Sequence, residues 1–202
     1  MSTGSDSIRV GTSGWNYPTG KGTWNGVFYP SRRPRGFDEL RYYAEHFDIV
    51  EVNSTFYRMP DAGMVAKWVE RTPPGFQFAI KLFQKFTHPD MYLAAGAKDW
   101  DVSLGDVDAF RAGLAPLAES GKLAALLVQF PTSFHAEGPM RDYLSWVLEM
   151  FAGYPLAVEL RHASWFAEGA ETRERLAARR ASLVLADSPE MSSEAISLAK
   201  LP

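Results

Sequence analysis

Apolar positions along the chain fall into two alternating kinds of pattern. Short continuous runs occupy residues 8–12, 49–53, 76–81, 124–130, 156–161 and 182–186. They are rich in Val, Ile, Leu and Phe, which predicts strands. Between them the apolar residues recur every three or four positions, which predicts helices. Phe37, Leu40, Tyr43, Ala44 and Phe47 mark the first helix, with Asp38 near its start, where a carboxylate suits the dipole. Met64, Val65, Trp68 and Val69 mark the second, which should stop before Thr72, Pro73 and Pro74. Val107, Phe110, Leu114 and Leu117 mark a third. Met140, Tyr143, Leu144, Val147, Leu148 and Phe151 mark the strongest. A short charged helix is expected over 171–180, and another over 189–198.

Strand and helix in alternation predict βαβ units and a parallel sheet. Strands buried on both faces read as unbroken apolar runs, as Ala125, Leu126, Leu127 and Val128 do. Two connections are long, 13–36 and 83–105, and long loops in a compact domain often carry function. Nothing in the composition marks a second domain. The expected organisation is a disordered tail over 1–7 and a single domain over 8–202. Six units are visible where a closed barrel needs eight. The pattern alone fits an open doubly wound sheet or a barrel lacking its last one or two units.

Composition narrows the class. Apolar residues make up 46% of the 202, charged residues 22%, and the net charge is −3. That is an ordinary globular balance, with no global pull toward nucleic acid or anionic membrane. Cysteine is absent, which excludes disulfides, thiolate metal ligands and a thiol nucleophile, and fits a reducing compartment. No secretory core or membrane-length apolar run is present, so a cytoplasmic location is expected.

Side chains alternate across a strand. Glu51 and Asn53 therefore share one face, as do Gln77, Ala79 and Lys81; Ala125, Leu127 and Gln129; Ala157, Glu159 and Arg161; and Leu183, Leu185 and Asp187. The polar member stands at the C-terminal end nearly every time, the rim where parallel α/β folds build their sites. Burying such groups unpaired costs about 2–7 kcal/mol each, so they must meet one another, water or a ligand. An ion-pair network of Glu51 with Lys81, or Glu159 with Arg161, is the structural alternative to a binding site.

A family resemblance runs through nearly the whole chain. Its stretches are Gly11 to Tyr17 with Trp15; Trp24 to Pro30 with Tyr29; and Val50 to Arg58 with Glu51, Asn53 and Tyr57. Trp68 with Thr72 and Pro73 follows, then Phe78 to Lys81, Thr87 with His88, Leu126 to Phe134 with Gln129 and Pro131, and Ala157 to Trp165 with Glu159, Arg161 and His162. The chain resembles the YecE-like proteins, the domain of unknown function 72. The resemblance implies a TIM-type barrel and a site, but no reaction. Relatives usually continue into a strand with an Arg-Leu-His-Gly-like segment, absent here, so a C-terminally short barrel is expected. Unclosed strand edges lead us to expect self-association.

Several chemistries fit these residues. Glu51 and Glu159 are candidates for an acid/base pair. Glu51, Glu159, His162, Asp187 and His88 are candidate ligands for a divalent metal, although no close-spaced metal motif supports them. Lys81, Arg58 and Arg161, with loop cations Lys21, Arg32, Arg33 and Arg35, suit an anionic ligand. Lys81 is also a candidate imine-forming amine. Trp15, Tyr17, Trp24, Tyr29, Tyr57, Phe134 and Trp165 are candidates for an aromatic wall against a sugar or base. Such a wall with cations also suits single-stranded nucleic acid, which the acidic total disfavours. The segment Gly11 to Gly14 is neither a dinucleotide fingerprint nor a P-loop, and Ser13 and Ser54 lack a nucleophile elbow, so no nucleotide cofactor is indicated. The expected function is a barrel enzyme acting on a small anionic or sugar-like molecule. Lys81 and Arg161 would hold charge, Glu51 and Glu159 would act as acid and base, and Asn53, Gln129 and His162 would orient the substrate. The competing class is a non-catalytic barrel binding nucleic acid or protein.

Overall fold

A computed structural model describes residues 8–17, 22–167 and 169–186. Six strands form one all-parallel sheet: β1 (Gly11–Ser13), β2 (Ile49–Val52), β3 (Gln77–Lys81), β4 (Leu123–Gln129), β5 (Leu156–Glu159) and β6 (Ala181–Leu183). Their spatial order is their chain order, β1-β2-β3-β4-β5-β6. A doubly wound sheet reverses order at a switch point. No reversal occurs here, so that alternative is removed. Among the described residues no pairing joins β1 to β6.

The helices are α1 (Glu39–Ala44), α2 (Ser54–Tyr57), α3 (Ala62–Glu70), α4 (Gln84–Thr87), α5 (Pro89–Ala94), α6 (Leu104–Glu119), α7 (Gly138–Met150), α8 (Ser164–Ala167) and α9 (Gly169–Ala177). Long helices match the apolar spacing, since tertiary packing of an apolar face supplies most helical stability. The four-residue helices α2, α4 and α8 are too short to show a period, and α5 carries no buried residue. The expected helix over 189–198 and the tail over 1–7 lie outside the described residues.

Caps account for where the longer helices begin. Asp38 is the N-cap of α1, accepting from Arg41 N at 3.1 Å. It also takes a two-point ion pair from Arg71 at the end of α3, at 2.6 and 2.8 Å. Arg71 accordingly holds the Asp38 carboxyl below its usual range. Ser103 and Asp106 form a capping box on α6, and Asp106 also takes both contacts from Lys85 at 2.9 Å. That pair, with Trp100 donating to the Lys85 carbonyl at 2.6 Å, pins the long loop after β3.

The two faces of the sheet differ. Val50, Val52, Phe78, Ile80, Leu126, Val128, Leu156 and Val158 are buried and join the residues of α1, α3, α6 and α7 in one core. The other face carries Ser13, Glu51, Ala79, Lys81, Ala125 and Ala157, all at least partly exposed. Register fixes this division, because parallel Cα partners point the same way. Ser13 pairs with Glu51, Glu51 with Ala79, Lys81 with Leu127, and Gln129 with Glu159. At Gly11 a Cβ would sit 1.9 Å from the Ile49 carbonyl oxygen, so only glycine lets β1 reach β2. Tyr43 locks the same junction from α1: its hydroxyl accepts from Thr12 N at 2.8 Å and meets the Ile49 carbonyl at 3.1 Å.

Candidate functional site

Four strand ends deliver polar groups to the uncovered face. Lys81, Gln129 and Glu159 are the last residues of β3, β4 and β5, and Glu51 is the penultimate residue of β2. Glu159 is buried, with both oxygens engaged: Gln129 Nε2 donates to Oε2 at 2.7 Å and Arg161 Nε to Oε1 at 2.6 Å. Arg161 itself is exposed, and only its Nε is engaged among the described residues. The expected pairing of Glu159 with Arg161 is therefore present, and that of Glu51 with Lys81 is not.

Glu51 pairs instead with Ser13, whose Oγ donates to Oε1 at 2.8 Å. Asn53 Nδ2 in turn donates to Ser13 Oγ. Asn53 lies just past the end of β2, where the chain turns into α2, so its side chain reaches back to β1. Ser13 is the member of this hydrogen-bonded cluster that strand alternation alone does not single out. It ends β1, and register makes it the partner of Glu51.

Lys81 has no hydrogen-bond acceptor or carboxylate in bonding range among the described residues. Its Nζ lies 4.4 Å from the centre of the Phe56 ring. Thr55 sets that ring in place, donating to the Val52 carbonyl at 3.0 Å and the Lys81 carbonyl at 2.7 Å. Burial lowers the Lys81 pKa; the Glu51 carboxylate opposes this, Arg161 reinforces it and Glu159 again opposes it. His88, at the junction of α4 and α5, packs edge-on against Phe56 at 4.9 Å and bonds Thr87 Oγ1 through Nδ1 at 2.8 Å. Burial, with Lys81 and Arg161 nearby, lowers its pKa to about 4, so the ring is neutral at pH 7.

The remaining expected residues divide. Trp15, Tyr17 and Asn53 border an open pocket of about 270 Å³ together with Ser13, Gly14 and Ser54. Gly14 holds a positive φ of 87° there, and a Cβ would come within 3.1 Å of the Tyr17 hydroxyl. Tyr57 and Arg58 are exposed at the end of α2. His162 stacks on His135 at 3.8 Å and bonds Ser164 Oγ at 2.8 Å, so it organises the loop before α8.

Trp165 does not line an opening. It is 1% exposed, stacked on Phe134, and its indole N–H donates to the Phe134 carbonyl at 2.7 Å. Phe134 stacks in turn on Phe130, so this aromatic group is core. Tyr29 is likewise buried; its hydroxyl reaches the Trp15 carbonyl and its ring carries Arg33, which pairs with Glu39. Trp24 is packed among Tyr17, Phe28, Tyr29 and Tyr43. Arg32 and Arg35 are exposed. Asp187 and Lys21 lie outside the described residues. Among the described residues no group of three or more His, Asp or Glu side chains is arranged to hold a metal. No helix among them is long and apolar enough to cross a membrane.

The family model described as "Protein of unknown function DUF72" matches residues 9–200, nearly the entire chain. The chain belongs to the DUF72 family. UPF0759 protein YunF of Bacillus subtilis is 33% identical over 159 residues, covering 79% of this chain and 52% of YunF. UPF0759 protein YecE of Escherichia coli is 30% identical over 166 residues, covering 81% and 52%. The chain thus spans about half the length of the curated relatives it matches. A solved DUF72 protein of Enterococcus faecalis superposes with a TM-score of 0.76 at 26% identity, over 91% of this chain and 62% of that one. A DUF72 protein of Thermotoga maritima gives 0.71 at 32% identity, over 91% and 66%. These DUF72 structures share the α/β fold described above.

Proposed function

We propose that the C-terminal rim binds and acts on a small anionic or sugar-like molecule, at the mouth of a TIM-type (β/α) barrel. Sequential parallel strands with helices packed on one face support the barrel, since a barrel keeps its sheet order in chain order and its helices outside. The cysteine-free composition fits action in the cytoplasm.

One observation carries the anion reading. Lys81 faces the rim as a partly buried cation with no carboxylate in bonding range among the described residues, while Glu51 and Glu159 are both held by other donors. A desolvated cation left in this state is stabilised when an anion arrives, because the local dielectric is low. The guanidinium end of Arg161, unpaired among the described residues, supplies a second, fork-shaped donor suited to phosphate or carboxylate. In this reading Glu51 and Glu159 serve as acid and base. Ser13 and Asn53 hold Glu51 in place, and Gln129 does the same for Glu159. Trp15 and Tyr17 wall the adjacent pocket, where a sugar ring would stack.

Thermal unfolding in the presence of inorganic phosphate and a sugar phosphate tests this. Ligand at a hundredfold excess over its Kd adds about 2.7 kcal/mol, which raises Tm by roughly 5–10 °C in a domain of this size. Lys81→Met should fold at least as well as wild type and lose most of that rise. An equal rise in both proteins would remove Lys81 from the site.

A further inference from the structure

Lys81 stands apart from the other described lysines. Lys85 pairs with both oxygens of Asp106. Lys122 donates to the Val69 and Thr72 carbonyls and to Thr72 Oγ1. Lys67 and Lys98 are exposed. Lys81 alone among these is partly buried with its nitrogen against an aromatic ring and no acceptor in reach. A deprotonated amine in that setting keeps its lone pair free, and burial favours the neutral form.

Ala79, Ala125 and Ala157 stand on the same sheet face as Lys81, and its register partner there is Leu127, so most of its neighbours on that face are small. The carboxylates of Glu51 on β2 and Glu159 on β5 act electrostatically on the amine, and among the described residues the Arg161 guanidinium is engaged only through Nε. His88, neutral at pH 7, packs edge-on against the same Phe56 ring that Lys81 meets.

We propose that Lys81 is a nucleophile that forms an imine with a small anionic aldehyde or ketone whose acid group is held by Arg161. This deepens the anion-binding reading and rests on it for the placement of the acid group. The Nζ lone pair attacks the carbonyl carbon, forming the C–N bond as the C=O π pair moves to oxygen. The proton shed by nitrogen goes to that oxygen, giving a carbinolamine. The hydroxyl then leaves as water, taking a proton, and the nitrogen lone pair closes the C=N bond. The neutral amine, the carbonyl and one proton from the medium become iminium and water, with no oxidant or reductant required.

Glyoxylate, the smallest anionic aldehyde, is the probe. The whole chain is incubated with glyoxylate and cyanoborohydride near neutral pH, and carboxymethyl-lysine is mapped by peptide mass spectrometry. Lys81 should be labelled several-fold faster than Lys67 and Lys98, because burial favours its neutral, nucleophilic form. Excess inorganic phosphate should suppress Lys81 labelling and leave the exposed lysines unchanged. Lys81→Arg should remove the site of rapid labelling without altering label elsewhere, which shows that the fold is intact. Lys81 labelled no faster than Lys67 and Lys98 overturns the imine. If phosphate still raises Tm in a Lys81-dependent way in that case, anion binding survives and the imine alone falls. Fast Lys81 labelling with no phosphate response upholds the nucleophile and removes the anion-binding reading instead.

Discussion

Gln129 donates to Glu159 at 2.7 Å across two adjacent strand ends, and both side chains are buried. The carboxylate has no solvent to fall back on if that donor is lost. Gln129→Leu should therefore cost about 1–3 kcal/mol, the usual penalty for stranding a buried acceptor. Urea unfolding checks this, and the double variant Gln129→Leu with Glu159→Leu should recover part of the loss. Equal midpoints for wild type and Gln129→Leu would mean that Glu159 is satisfied some other way.

His88 predicts a stability slope on the acid side. Its folded pKa is about 4 against an ordinary value near 6.5. Within that window the unfolded chain takes up a proton that the folded chain refuses. Stability is thus fully present above pH 6.5 and falls as pH drops toward 4, by up to about 3 kcal/mol from this group. His88→Gln should flatten that part of the profile. Unfolding free energies at pH 7 and 4.5, compared between the two proteins, give the test; parallel profiles would contradict it.

Gly113 in α6 lies against the loop before α3, where a Cβ would sit 2.2 Å from the Pro60 carbonyl oxygen. Backbone cannot yield as a flexible side chain does. Gly113→Ala should destabilise by about 1–3 kcal/mol despite the helix propensity it adds. Gly138→Ala at the start of α7, with nothing within 4 Å, is the control and should be neutral or better.

Lys122 is nearly buried at the opposite end of the sheet, where it donates to the Val69 carbonyl in the last turn of α3 and to the Thr72 carbonyl just past its end. Burial lowers its pKa, and no carboxylate is in ion-pair range among the described residues. Lys122→Met keeps the length but leaves those helix-end oxygens without a donor. A loss of about 1–3 kcal/mol in thermal or urea unfolding is expected. A stabilised variant would show that the ammonium is a net cost.

The strands were legible because burial on the helix side demands apolar runs. The ends were less so. Residues 8–12 read as a strand, yet Ile8 and Val10 are 91% and 59% exposed, and β1 begins only where Gly11 meets Ile49. Alternation correctly put Glu51, Lys81, Gln129 and Glu159 on one face, because register in a parallel sheet preserves it. It could not foresee partners, which depend on neighbours distant in sequence: Ser13 holds Glu51, and Phe56 sits under Lys81. Aromatic residues misled most. In sequence Trp165 and Tyr29 are candidates for an aromatic wall, but their polar atoms reach backbone carbonyls and let them be buried whole.

Strand order that follows chain order makes the opening modular. The donor and acceptor joining Ser13 to Glu51 are 38 residues apart, and those joining Gln129 to Glu159 are 30 apart, so each link spans one complete strand–loop–helix segment. Lengthening any single loop would reshape one side of the mouth and leave the backbone under the other groups untouched. Exchange of one segment at a time would therefore remodel this rim piece by piece.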